Sequence, residues 1–347
     1  MSKDKKDSAN VFARLKNMTD TNLLFSITIV IFFIMYIGAM LLQGGAFLRG
    51  QTFLNLLNAN GCLIILACGL SLVMITGGID ISVGGVTALV CMSCAVYLDK
   101  HNGSVAGALM IAILIGLFFG VVQGFLVAYL DIQPFIVTLA GMFFARGMTT
   151  IVNNKPFNVA HKGFVKLKGT RIRIPYMGSY NVRGIYVDAY IEIGVVVALI
   201  TVALLFVILR WTKLGRNFYA VGGNANSALM LGINVKRTKF LSHLICGLLA
   251  GVGGFVYFMH VGSGSASHAA GMEMNAIASS IIGGTLLTGG VGNIIGTLFG
   301  VLSLGTIQNI VSNAGFDEAW WTGITIALML CVFLVIQSIV ISKKKSI

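Results

Sequence analysis

Ten apolar stretches, most of them close to bilayer length, follow one another along the chain at 23–42, 54–76, 83–98, 105–130, 134–152, 190–209, 240–261, 274–287, 291–311 and 320–341. A helix crossing the hydrocarbon layer needs about 20 apolar residues, and a helix satisfies its own backbone polar groups where no water can. This pattern predicts an all-α polytopic membrane protein with about ten spans. Some stretches fall short of that length, so broken or re-entrant pieces are expected. The single transmembrane domain is read as 23–341, flanked by a charged N-terminal tail, 1–22, and a basic tail, 342–347. The first stretch follows Lys3, Lys5, Lys6, Arg14 and Lys16 and reads as a retained span rather than a cleaved signal.

With 57% hydrophobic and 10% charged residues, soluble enzyme classes are excluded early. The formal charge of +13 sits at the edges of the apolar stretches without interleaved stacking aromatics, so no nucleic-acid partner is expected. Forty-three glycines against three prolines suit closely packed spans, with small-residue stripes at Gly116, Gly120 and Gly124 and at Gly292, Gly296 and Gly300. The six cysteines lie in apolar stretches, and Cys91 and Cys94 lack a second ligand pair, so no metal site is expected. There is no Gly-Lys dipeptide, hence no phosphate-binding loop, and no HExxH or GxSxG signature. The histidines His101, His161, His243, His260 and His268 are scattered, which argues against an integral membrane enzyme.

The 210–239 loop carries Arg210, Lys213, Arg216, Lys236, Arg237 and Lys239 and no acid, which places it in the cytoplasm by the positive-inside bias. The even span count then puts the basic start and the Lys343 to Lys345 end on that side, and Trp320 and Trp321 at the outer interface. The 153–188 loop falls outside, although it holds Lys155, Lys162, Lys166, Lys168, Arg171, Arg173 and Arg183. The bias weakens for long and late loops; the other reading is an acidic external partner. Within 210–239, Asn224 or Asn226 can cap a short helix at 227–231, and Gly232 suits the left-handed residue after it. So short a helix is marginal alone, so its Leu229, Met230 and Leu231 want a surface to pack on, either a protein partner or the lipid interface.

Two glycine-rich breaks interrupt the apolar pattern. GGIDISVGG at 77–85 places Asp80 and Ser82 among glycines; irregular backbone at membrane depth is tolerated only when buried in protein or lining a cavity. Asp80 reads either as a helix cap or as a substrate contact, and the two roles are compatible. GGTLLTGG at 283–290 echoes it on the same side of the membrane, where an inverted repeat would not put it. Gln133, Thr138, Arg146, Glu273 and Asn275 complete the polar inventory, with Arg146 expected to face the bundle or snorkel. Amides, hydroxyls and few charges suit an uncharged polyol such as a sugar.

At these residues the chain resembles the permease subunits of bacterial ABC importers for ribose, xylose, arabinose and galactose. The resemblance is carried by GGIDISVGG at 77–85, QPFIVTLAGMFFARG at 133–147, GRNFYAVGGNANSALMLGI at 215–233 and the 272–300 stretch from MEMNAIASS to GTLFG. TLAGMFFARG, the GGN-x-x-SA loop and the region from Asp317 to Trp321 look most like the galactofuranose-type branch. The resemblance implies a permease fold of the vitamin B12 importer type. It also implies a second permease subunit, a separate ATPase holding ATP and Mg, an extracytoplasmic sugar-binding protein, and no cofactor on this chain. It makes 225–231 a coupling helix for the ATPase, with Gly215, Arg216, Tyr219, Gly223, Asn224, Leu229, Met230 and Gly232 as coupling residues. Asp80, Ser82, Gln133, Thr138, Glu273 and Asn275 are the pathway or gate candidates, although Met274 and Asn275 stand where the family commonly has Leu and Asp. The rival transport reading is an ion-coupled secondary carrier, suggested by the two breaks.

Overall fold

The computed structural model describes residues 20–44, 47, 49–180, 186–315 and 319–345. Their elements, in order, are α1 (Asp20–Gln43), α2 (Gly50–Ile75), α3 (Val83–Asp99), α4 (Val105–Ala128), α5 (Pro134–Val152), β1 (Phe157–Asn158), α6 (Lys162–Lys168), β2 (Arg171–Tyr180) and β3 (Tyr186–Glu192). They continue with α7 (Ile193–Trp211), α8 (Lys213–Gly223), α9 (Ala225–Met230), α10 (Val235–Val261), β4 (Ser263–Gly264), α11 (Met272–Ile282), α12 (Ile294–Asn313) and α13 (Ala319–Lys345). Every predicted apolar stretch contains a helix, although 190–192 belong to β3 and 283–287 and 291–293 are irregular. Eight of these helices are long and apolar enough to cross a membrane; α3, with 17 residues, and α11, with 11, are shorter. Both short helices abut a glycine break, which explains their length: the chain spends the missing residues on irregular backbone at 76–82 and 283–293.

Helix α2 is the axle of the bundle. In its most apolar window 94% of residues are buried, and α7, α10, α11 and α12 pack around it. At the other extreme, only 11% of the α13 window is buried, and Ile324, Leu328, Val332 and Val335 point outward as a lipid-facing helix requires.

Both glycine stripes are packing seams. Gly116, Gly120 and Gly124 of α4 lie directly on the α10 backbone at Gly247, Leu244 and Phe240, so near that a Cβ at Gly120 would stand 2.9 Å from the Leu244 carbonyl oxygen. Apolar burial drives little association within lipid, so such close backbone approach and the dispersion it yields carry the contact. Gly296 and Gly300 of α12 meet Gly283, just past α11, and Ser279 of α11 in the same way, whereas Gly292 precedes α12 and packs on the Ile75 side chain. Hydroxyls join α2, α11 and α12 in the core: Ser71 Oγ lies 2.8 Å from Thr297 Oγ1 and 3.0 Å from Ser280 Oγ. Five cysteines are buried and free, in keeping with small core residues, whereas Cys331 is exposed on α13.

The basic loop at 153–188 is more ordered than a plain connector. It holds α6 and strand β1, paired with β4, while β2 and β3 form an antiparallel hairpin, with Arg171 opposite Glu192 and Ile174 opposite Ala189. The all-α reading therefore holds for the membrane-crossing part, with two small sheets added. Arg171-Ile172-Arg173-Ile174 alternates with the period of a strand, a signal overshadowed by its charge. Asn58 and Gln51 of α2 fasten the hairpin: the Tyr190 and Glu192 amides donate to Gln51 Oε1 (2.8 Å) and Asn58 Oδ1 (2.9 Å). Helix α13 continues to Lys345, so most of the expected basic tail is helical backbone. The first nineteen residues, Arg183, Asp317 and Glu318 lie outside the described residues.

Candidate functional site

The first break starts where α2 ends. Gly77, at φ +83°, turns the chain in a conformation that side chains resist, and its amide and that of Gly78 bond back to Met74 O (2.9 Å) and Val73 O (3.0 Å). The reversed chain then delivers Asp80, 1% exposed, into the bundle. Asp80 Oδ1 accepts from the Ser82 amide (2.9 Å) and the Ser82 hydroxyl (2.6 Å), a local turn that sets the start of α3. The capping role thus belongs to Asp80; the Ser82 hydroxyl caps nothing on α3.

Three further helices close around this turn. Thr138 of α5 donates to its own helix at Pro134 O (2.9 Å) and stands 3.4 Å from Ile79 O. Gln123 of α4 approaches Ser82 with its amide oxygen 3.2 Å from the hydroxyl, packed beneath Gly141 of α5. His243 of α10 lies beside Gly78, its Nδ1 3.0 Å from Lys239 O and its Nε2 without a hydrogen-bond partner. Gln123 and His243 were not among the sequence candidates. Gln123 sits between glycines in an apolar stretch, and only the packing of α4 against α3 brings it to Ser82.

One turn along α3, the Glu273 carboxylate lies against Gly84, where any Cβ would occupy its place. Arg146 of α5 stands 3.8 Å from Glu273 Oε2 and donates to His268 O (2.6 Å) and Ala269 O (2.7 Å). Arg146 therefore faces the bundle, as expected, and clamps α5 to the turn before α11. The pathway candidates divide accordingly. Asp80, Ser82 and Thr138 converge, with Glu273 one layer away; Asn275 stands half-exposed on α11, and Gln133 is exposed. Gln133 directly precedes Pro134, the first residue of α5, and stands at the helix start.

The loop at 210–239 folds as two helices rather than one. Thr212 caps α8 through the Gly215 amide (3.2 Å), and Gly215 packs on the backbone of Ile208 and Leu209. Along α8, Arg216 points outward, Phe218 is fully buried, and the Tyr219 hydroxyl donates to Gly292 O (2.9 Å). Burial pushes the Tyr219 phenol up from 10.0 to about 12, against a smaller downward pull from Arg210. It therefore stays a proton donor at physiological pH; the stability it adds is full below 10 and is lost as pH rises toward 12.

Asn224 caps α9 through the Ser227 amide (2.9 Å), so this helix starts two residues before the expected 227 and ends at Met230. Leu229, Met230 and Leu231 are 62%, 89% and 79% exposed at its tip. Gly232, at φ +78°, closes it in the left-handed form expected from the sequence. The second break lies at the same end of the molecule as the first, as the span count required. The two touch: the Gly290 amide donates to Ile75 O (2.9 Å), beside Gly222 of α8.

A family model described as "Branched-chain amino acid transport system / permease component" matches residues 52–333. The inner membrane ABC transporter permease protein YjfF of Escherichia coli is 35% identical over 92% of this chain and 93% of its own length. The fructose import permease protein FruG of Bifidobacterium longum is 35% identical, covering 90% of each chain. The ribose import permease protein RbsC of Escherichia coli is 34% identical over 76% of this chain and 78% of its own. No solved structure matches the chain. YjfF is named as an ABC transporter permease, and FruG and RbsC as import permeases, which sets aside both the ion-coupled carrier and the membrane enzyme. The chain belongs to the permease-component family of ABC importers.

Proposed function

We propose that this chain is one of two permease halves, identical or homologous, of an ATP-driven monosaccharide importer, and that α9 docks it onto a separate ATPase chain. The observation that carries the reading is the α9 tip. A six-residue helix, capped at both ends, presents Leu229, Met230 and Leu231 from a basic, acid-free loop. Such a helix has little stability of its own and such a tip calls for an apolar groove. The loop's charge supports a cytoplasmic location, and the absence of a phosphate loop supports ATP and Mg being held by the partner, with no cofactor on this chain.

Importers of this family combine a multi-pass permease of the plasma membrane with an ATPase and a substrate-binding protein. Relatives named for ribose and fructose import support a monosaccharide cargo, a pentose or a hexose, and the likeness to the galactofuranose-type branch favours galactofuranose. The sugar-binding protein would approach the end carrying the β2–β3 hairpin, opposite α9, and both termini would be cytoplasmic. The buried turn at Asp80, Ser82 and Thr138, with Glu273 one layer beyond, would gate the path; affinity can reside in the binding protein.

The test is purification from the native membrane in mild detergent. The wild-type chain brings down a Walker-A ATPase, identified by mass spectrometry. Met230→Asp, which sets a charge in the apolar contact, loses it while still inserting. Normal co-purification of the variant would return α9 to a lipid-skimming connector.

A further inference from the structure

We infer that the meeting point of Gly77, Gly222 and the Gly289-Gly290 pair is a positioning joint, a main-chain contact through which movement of α8 and α9 reaches both intramembrane breaks at once. The inference rests on the docking reading of α9. Gly222 lies so close to Ile75 O and the Gly290 amide that even a methyl group has no room. A Cβ at Gly289 would stand 2.8 Å from Gly222 O and 3.0 Å from Gly77 Cα, and one at Gly290 would stand 2.8 Å from Gly223 Cα. The Gly290 amide already bonds Ile75 O at 2.9 Å, and Tyr219 adds a bond to Gly292 O at 2.9 Å. Three segments distant in sequence thus touch through backbone. Side chains can absorb a displacement by changing rotamer, whereas backbone in contact passes it on.

The surroundings favour movement here. A cavity of about 320 Å³, lined by Thr76, Gly78, Asn224 and His243, borders the joint on one side, and a groove of about 720 Å³ beside Phe206, Arg210 and Asn293 borders Tyr219 on the other. The end of α8 is therefore held at the glycines and at Tyr219, with space flanking it. What moves with it is specific. Gly77 is three residues from Asp80, and Asn293, the last residue of the irregular backbone at the second break, caps α12 through the Ile295 amide (2.9 Å). A shift at the joint re-aims the Asp80 turn and the start of α12 together.

The test uses the assembled importer with its ATPase, in a Cys331→Ser background that removes the one cysteine exposed among the described residues. Single cysteines, Ile79→Cys in the first break and Thr288→Cys in the second, report maleimide labelling rates without nucleotide and after trapping with ATP, Mg and vanadate. With Gly222 present, both rates change on trapping. With Gly222→Ala, the change falls about ten-fold at both sites, the scale of a typical coupling between sites, while ATPase co-purification is unaltered. Gly147→Ala, a helical glycine with open space around it, serves as control and leaves both responses intact. Should Gly222→Ala fail to fold, Tyr219→Phe deletes a single hydrogen bond and lowers both responses about five-fold. A full response at either break in a folded Gly222→Ala importer, or in Tyr219→Phe where that variant stands in, overturns the joint. An ATPase that stays bound to Met230→Asp overturns the docking reading instead.

Discussion

The two glycine-rich breaks have nearly the same composition, yet they are held by different means. The first is fixed by side chains. Asp80 gathers the Ser82 amide and hydroxyl, Gln123 stands behind Ser82, and Thr138 and His243 close the sides. The second is fixed mostly by main chain, with the Tyr219 hydroxyl on Gly292 O as its side-chain tie. Three glycines take positive φ (Gly284 +88°, Gly289 +84°, Gly290 +73°), the Leu286 amide bonds Val291 O at 3.1 Å, and Thr285 Oγ1 is buried with no hydrogen-bond partner. The same glycine-hydroxyl vocabulary therefore yields a charged turn in one place and an uncharged backbone knot in the other. A carboxylate at membrane depth must be paired or hydrogen-bonded, whereas a backbone knot can satisfy itself.

Substitutions sort by this difference. Asp80→Ala has the largest effect: it strips the turn of its acceptor and leaves the Ser82 amide unpaired, for a loss of about 3 kcal/mol or more. Thermal unfolding of the purified permease in detergent measures it. Asp80→Asn keeps one oxygen to accept, so it impairs sugar uptake while the complex with the ATPase stays together; loss of folded protein in that variant would reduce Asp80 to a cap. Next comes Gly290→Ala, at roughly 2 kcal/mol, from the left-handed backbone and the crowding against Gly223. Ser82→Ala removes one hydroxyl from the Asp80 turn and costs about 1 kcal/mol in the same assay. Thr285→Val is smallest, within about 1 kcal/mol of neutral, because the hydroxyl it removes has no partner to lose. If Thr285→Val proved as damaging as Asp80→Ala, the contrast between the breaks would collapse.

Much of this arrangement was legible in the residues, and the exceptions share a cause. Asn224, the helix after it and Gly232 were readable because caps and left-handed glycines act on backbone a few residues away. Helix α8 was missed: Lys213–Gly223 holds three glycines, and Gly222 makes sense only against Ile75 and Gly290. Gln123 was overlooked, being one polar residue inside a long apolar run. Arg146 was given the right direction from the energetics of burying a charge, but its carbonyl partners at His268 and Ala269 could not be read from spacing.

The sequence by itself determined the membrane class, the positions of the spanning helices, the two breaks, the capped helix with its apolar tip, and the family to which the chain belongs. These follow from hydrocarbon thickness and from backbone rules that operate within a turn or two. Only the tertiary structure decided that Ser82 meets Gln123, that His243 lies beside Gly78, that Glu273 sits where Gly84 has no side chain, and that α8 touches both breaks through glycine. Those contacts depend on which helices are neighbours and in what register. Among apolar helices in lipid, that choice rests on small differences in shape and close packing summed over whole surfaces, which no local pattern of residues displays.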